Sequence, residues 1–345
     1  MVFFHNDYSE GCHPKILELM TQTNMEQADS YGNDIYCAKA AQYIRDLCNS
    51  QLLDVFFLSG GTQTNLTVIS GILRPYQGVV CADTGHINVH ETGAIEATGH
   101  KVLPIPTEDG KISAKQIQEL IAEHFEQDGP EHMVQPGMVY ISNPTELGTI
   151  YTRDELKDIS EVCKANDIYL YLDGARLGYA LQAAGNDVSM EDIADFCDVF
   201  YIGGTKVGAL LGEAVVFSDN KLSRDFRYLI KQRGGMLAKG RLLGIQFCGL
   251  LEDGLYFTLA KHANLLADRI RAALDELGYS LYVPGSTNQI FAILPDSLLD
   301  SLSGEFTFSV QHRYDSKSSV VRFCTSWATV PQNVELLCEA LKKYS

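Results

Sequence analysis

Apolar positions along this chain follow two patterns. Short runs with little polar interruption at 55–58, 79–81, 101–105, 138–141, 168–172, 199–202 and 213–217 predict strands covered on both faces. Between them, apolar residues recur at helical spacing. This predicts helices at 86–97, 113–123 and 153–165, one from Arg176, and one after the first run through Leu66, Ile69 and Leu73. Upstream, Pro14 opens a helix carrying Ile16, Leu17 and Met20, and Asp34 caps another that runs through Leu47. Residues 3–13 read as polar and irregular. Strands alternating with helices at this spacing predict an α/β fold with a mostly parallel central sheet. From Leu222 to about Leu274 the pattern is helical. Strands are predicted again at 279–283, 288–294, 306–310 and 320–324, with a last helix from Asn333. The expected division is a large domain at 1–250 and a smaller α+β domain at 251–345.

Composition narrows the partners. With 345 residues, 46% of them hydrophobic, the chain is able to bury a large core. A formal net charge of -17 disfavours nucleic-acid backbones and acidic membranes as partners, and leaves room for a small anion in a local basic site. The nine cysteines form no Cys-x-x-Cys and lie mostly in apolar segments, so free thiols in a reducing cytosol are expected. No signal-like N-terminus and no apolar stretch of membrane-spanning length is visible, so a cytoplasmic protein is expected.

Four local patterns point to chemistry. Cys197-Asp-Val-Phe-Tyr-Ile-Gly203-Gly204-Thr205-Lys206 places a lysine after an apolar strand and a glycine break. A lysine held there, short of solvent, has a lowered pKa and serves as an amine nucleophile toward a carbonyl. The plain alternative is a surface lysine. Ser59-Gly60-Gly61-Thr62-Gln63-Thr64-Asn65 lies between a strand and a helix, where free N–H groups and hydroxyls cradle an anion such as a phosphate; the alternative is an ordinary turn. There is no G-x-G-x-x-G and no G-x-x-x-x-G-K. Asp173 ends an apolar strand, where it needs a positive partner: either Arg176 or a protonated heteroaromatic nitrogen. His86 opens a predicted helix, with His90 one turn on. It reads as a capping or buried histidine, or as an imidazole lying on a cofactor ring. A metal site is not expected, since Ala94 stands where H-E-x-x-H needs its second histidine.

A phosphate cradle, a strand-end aspartate, a stacking histidine and a lysine are the holds that pyridoxal 5′-phosphate needs. The sequence resembles the threonine aldolases of the β-eliminating lyase family, pyridoxal-phosphate enzymes of fold type I. The resemblance runs almost end to end. It is carried by Tyr31-Gly32-Asn33-Asp34, Gly61-Thr62-Gln63-x-Asn65, His86 with Glu91, Asp173-Gly-Ala-Arg176 and Gly204-Thr205-Lys206. It implies that Lys206 bonds the cofactor aldehyde and that Asp173 holds the pyridine nitrogen. It gives Gly61, Thr62 and Thr205 to the phosphate and His86 to the ring face. It gives Arg176 and Arg322 to the substrate carboxylate, with Asn6 nearby. It also implies a homodimer or homotetramer with sites shared between subunits, the basic run from Lys231 to Lys239 reaching a neighbour's phosphate.

The implied reaction is retro-aldol cleavage of L-threonine or L-allo-threonine to glycine and acetaldehyde. One departure stands out. The better-known branch has a histidine after the strand at 138–141, and this chain has Glu146 near that place. The base is therefore sought among His86, His90, Glu91 and Glu146, with His86 expected to move the proton and Glu146 to orient the hydroxyl. β-Elimination, transamination or racemisation on the same cofactor are the competing reactions, and a non-catalytic binding protein is the competing class.

Overall fold

Seven of the apolar runs assemble into one sheet in a computed structural model that describes residues 1–344. The first strand of the chain, β1 (Val2–Phe3), lies elsewhere. The sheet is built from β2 (Asp54–Leu58), β3 (Gln77–Ala82), β4 (Val102–Ile105), β5 (Gln135–Ser142), β6 (Tyr169–Asp173), β7 (Val199–Gly203) and β8 (Glu213–Phe217), in the order β2-β8-β7-β6-β5-β3-β4. Strands β4, β3, β5, β6 and β7 run parallel, and β8 is antiparallel to both of its neighbours. Strands β7 and β8 are buried at every position, as their mostly apolar sequences require, Glu213 being the one charged residue among them.

The tail forms a separate layer. Strands β9 (Gln289–Pro295), β11 (Ser309–Arg313) and β12 (Ser318–Cys324) make an antiparallel sheet of order β11-β12-β9. Between β9 and β11, β10 (Phe306–Thr307) pairs in parallel with β1. Phe4 thereby enters the apolar cluster of the tail, with Ile290, Leu294, Val321, Phe323 and Leu337. The 22-residue helix Leu255–Glu276 packs into both clusters, through Tyr256, Ala260 and Ala263 on one side and Leu266, Ile270 and Leu274 on the other.

Several expectations are corrected. The helix expected at 86–97 is a single turn, His86–Val89, followed by a 3-10 turn at Glu96–Thr98. His90, at φ -128°, leaves the helical region and ends it, and Thr92 and Gly93, at φ 54° and 70°, then turn the backbone into the left-handed region. The strand expected at 279–283 contributes one bridge, Leu281 to Ala292. Residues 2–3 form β1, so the segment read as irregular from residue 3 opens in a strand. Helices Met190–Phe196 and Asp296–Leu302 were not expected, although Ser189 and Asp192 form a reciprocal cap that the sequence displays. Among the described residues no single helix is long and apolar enough to cross a membrane.

Topology positions the chemistry. β3, β5, β6 and β7 end at the same edge of the sheet. β2 also ends there and β8 begins there, because Glu213 is paired with both Leu58 and Gly203. Residues 59–61, His86, Glu146, Asp173, Lys206 and Glu213 therefore leave or enter the sheet along one rim. Two glycines let the rim close up. A Cβ at Gly174 would meet the Tyr201 carbonyl at 1.9 Å, and one at Gly203 would meet the Ala175 carbonyl at 2.3 Å. Only glycine lets the turns after β6 and β7 interlock this way.

Candidate active site

Asp173 is the most heavily solvated carboxylate of the rim, and protein groups do the solvating. Its Oδ2 accepts from the Tyr140 hydroxyl at 2.5 Å and from Asn65 Nδ2 at 3.1 Å. Its Oδ1 accepts from the Tyr201 hydroxyl at 2.6 Å and the Ala175 N–H at 2.9 Å. Burial works to raise its pKa, but the His86 charge, both phenols and the Ala175 N–H together hold it below the ordinary aspartate value. Arg176, the local partner weighed from sequence, is engaged elsewhere. It donates Nε and Nη2 to the two oxygens of Asp7, at 2.7 and 2.9 Å. Asp7 is fully buried and also accepts from Asn288 Nδ2 at 2.9 Å. No sequence pattern singled out Asp7, because its partner lies 169 residues away.

His86 is held from both sides. Its Nδ1 meets Glu91 Oε1 at 2.7 Å, and its backbone N–H donates to Glu146 Oε1 at 2.9 Å. Asn65 Nδ2 donates to the same Glu91 oxygen at 2.7 Å and also reaches Asp173, so one buried amide links the two acids. Glu91 Oε2 is buried without a partner. The Ser142 hydroxyl donates to Glu146 Oε1 at 2.7 Å. Burial, offset in part by Ser142 and reinforced by the Asp173 charge, raises Glu146 above the ordinary glutamate value. The His90 ring lies 5.5 Å from the His86 ring. Desolvation lowers its pKa, and so do the charges of His86, Arg322, Arg176 and Lys206. These groups therefore share one electrostatic neighbourhood.

Lys206 follows the turn at Gly203 and Gly204. Desolvation first and the Arg176 charge second push its pKa down, against the pull of Asp7, Asp173 and Glu213. The Tyr179 hydroxyl donates to its backbone carbonyl at 2.6 Å. Glu213 was read from sequence only as the start of a strand. A lone acid opening an otherwise apolar strand was the available signal.

At the other corner, helix Gly61–Ile72 begins after Gly60 with no side-chain cap, and Thr64 Oγ1 in its first turn is buried without a partner. Thr62 is exposed. The Gln63 amide donates to the Arg233 carbonyl at 3.1 Å, which brings the basic run at 231–239 beside this turn within the same chain. Thr205 does not present its hydroxyl outward: it donates to Glu213 Oε1 at 2.8 Å and accepts from the Gly212 N–H. Arg322, on β12, donates to Gln289 Oε1 at 3.2 Å and to the His5 carbonyl at 3.1 Å. Asn6 accepts from the Tyr8 N–H and the Ser9 hydroxyl, shaping the segment that leads to Asp7.

Comparison with known proteins identifies the family. Residues 7–297 match the model of the beta-eliminating lyase family. A low specificity L-threonine aldolase of Pseudomonas sp. (strain NCIMB 10558) is 33% identical, over 98% of this chain and 96% of that protein. The structure of Leishmania major threonine aldolase superposes with a TM-score of 0.97 at 47% identity, covering 99% of each chain. A Thermus thermophilus aspartate aminotransferase superposes with a TM-score of 0.75 at 13% or 14% identity, a likeness of fold alone.

Proposed function

The chain belongs to the beta-eliminating lyase family, with the L-threonine aldolases, and on that premise we propose that it cleaves β-hydroxy-α-amino acids, L-threonine and L-allo-threonine, to glycine and acetaldehyde. The observation that carries this reading is the rim itself: a desolvated lysine, an aspartate kept ionised and an uncapped glycine turn at one edge of the sheet.

Pyridoxal 5′-phosphate suits these residues. The free N–H groups after Gly60 and the unpartnered Thr64 hydroxyl fit a phosphate, which Gly61 and Thr62 would hold. Asp173 fits a protonated ring nitrogen, Lys206 fits the aldehyde, and His86 fits the ring face. We assign Thr205 to shaping the lysine turn, since its hydroxyl is spent on Glu213. When bound, the cofactor supplies an electron sink for the pair released as the Cα–Cβ bond breaks.

The chain's own residues do the rest. Asp7 locks the Arg176 guanidinium in a two-point grip, so a substrate carboxylate meets a cation of fixed direction; Arg322 and the Asn6 segment complete that end. In its neutral form, with the Nδ1 N–H donated to Glu91, His86 keeps Nε2 as an acceptor for the β-hydroxyl proton and becomes the cation that faces Asp173 once it has taken it. Glu146, desolvated and bound to the His86 backbone and to Ser142, orients that hydroxyl.

The test is direct. Wild-type protein incubated with L-threonine should release glycine and acetaldehyde, and borohydride should fix the cofactor on the peptide containing Lys206. Lys206→Ala should stay folded and lose turnover. Label on another lysine, or release of ammonia and a keto acid in place of glycine, would sink the reading.

A further inference from the structure

Asn65 is fully buried, one turn into the helix that follows the glycine turn. Every hydrogen-bonding group of its side chain is used. Oδ1 accepts from the Tyr171 hydroxyl at 2.7 Å. Nδ2 donates to Glu91 Oε1 at 2.7 Å and to Asp173 Oδ2 at 3.1 Å. The orientation of the amide follows from its neighbours. Carboxylates only accept, so the NH2 must face the two acids and the carbonyl must face the phenol. Tyr171 is itself fixed. It lies two residues before Asp173 on the same face of β6, with the Tyr140 and Tyr201 rings 5.6 and 6.4 Å away. Those two phenols spend their hydroxyls on Asp173, and Tyr171 spends its own on Asn65.

Glu91 is the group that needs such a partner. It stands between the single turn at 86–89 and the 3-10 turn at 96–98, so no regular element holds its backbone. Among the described residues its carboxylate has two partners, His86 Nδ1 and Asn65 Nδ2, both at Oε1. An acid held only by the histidine could not aim that histidine. The second hold comes from a helix, and the same amide touches the acid at the end of β6. We propose that Asn65 is a positioning residue of the reaction: by holding Glu91 it fixes the His86 imidazole relative to Asp173, through the contacts His86 Nδ1, Glu91 Oε1, Asn65 Nδ2 and Asp173 Oδ2. The base and the partner of the ring nitrogen thereby keep one fixed relation, set by a residue that acts through Glu91 and needs no contact with substrate.

This inference rests on His86 being the base in the reading above. Its test combines turnover with a readout that does not depend on turnover. Asn65→Ala should lower kcat on L-threonine by about 10- to 100-fold, the scale of a misplaced reacting group, with little change in KM. In a His86→Asn background the same substitution should cost far less, because the group it positions is gone. The second readout is nitrogen NMR of the purified protein labelled at its histidine rings, at a pH where His86 is neutral, with its signals assigned by their loss in His86→Asn. Wild type should carry the proton on Nδ1. In Asn65→Ala the two ring-nitrogen signals should draw together as the other tautomer is populated. Where Asn65→Ala does not fold, Tyr171→Phe serves, since it removes what aims the amide and should move both readouts in the same sense. Equal losses in the two backgrounds, or ring signals that stay where they are in the variant that folds, overturn the proposal and leave Asn65 as a structural amide of the core. A wild type that releases no glycine from L-threonine overturns the proposed function, and this inference with it; an active wild type with unmoved ring signals overturns this inference alone.

Discussion

The centre of the sheet's rim and its two flanks hold the same chemical group and treat it in opposite ways. Asp173 stands at the end of β6. Glu146 follows β5 on one side, and Glu213 begins β8 on the other, beyond β7. Burial works to raise all three, yet the central acid is held down while both outer acids are pushed up. The difference is donors. Asp173 receives four hydrogen bonds, two of them from phenols at 2.5 and 2.6 Å, together with the His86 charge. Glu146 and Glu213 receive two each. Burial alone therefore does not decide ionisation; the number and charge of the groups aimed at the oxygens do. The linkage signs follow. Asp173 contributes stability that is lost as pH falls through its depressed pKa. Glu213 contributes stability that is lost as pH rises from the ordinary carboxylate range toward about 8.

Removing the central charge should have the largest effect. In Asp173→Asn, kcat/KM on L-threonine should fall on the order of 100-fold or more, the scale of losing one preorganised charge at a reacting centre. Cofactor absorbance should persist. Unchanged steady-state kinetics would make Asp173 a structural acid and dissolve the contrast with its neighbours.

Thinning the donors around Asp173 should have a smaller effect that makes the centre behave more like a flank. Tyr201→Phe removes one of its two phenols and should cost about 1.5–3 kcal/mol of stability, the usual value for a hydrogen bond to a charged group. Because that phenol holds the Asp173 pKa down, the acid limb of the kcat/KM profile should move to higher pH. Denaturant unfolding and a pH–rate profile would check both; a stationary acid limb would show that the remaining donors suffice.

The smallest effect is expected on a flank. Under the proposed roles, in which Glu146 orients the hydroxyl and His86 takes its proton, Glu146→Gln should change the ratio of activities on L-threonine and L-allo-threonine more than their sum. Should Glu146→Gln abolish both activities while His86→Asn leaves them intact, the two roles exchange.

Much of the rim was legible in the sequence because most of its residues sit beside a strong local signal. Lys206 follows two glycines, Asp173 ends an apolar run, and Gly60 and Gly61 break between strand and helix. The strands of the central sheet were legible for the same reason, since unbroken apolar runs leave little choice. What was not legible depends on distant pairing. Asp7 matters through Arg176, and Glu213 through a register that sets it between Leu58 and Gly203. The helix expected from His86 stops after one turn, where His90 leaves the helical region and Thr92 and Gly93 then take positive φ, choices that apolar spacing does not report. The expected strand at 279–283 has the right composition, but it bridges to β9 at a single residue.

The pairing of β1 with β10 ties residues 2–7 to segments far along the chain. The Cys324 N–H bonds the Phe4 carbonyl, His5 Nδ1 meets the Phe308 carbonyl, and Asn288 holds Asp7. On a ribosome, residues 4–7 emerge before any of these partners has been translated. The grip of Asp7 on Arg176 is thus anchored by residues nearly three hundred positions further along the chain. A chain cut short before residue 288 would keep the lysine and the aspartate of the rim but lack the partners that hold Asp7 beside its arginine.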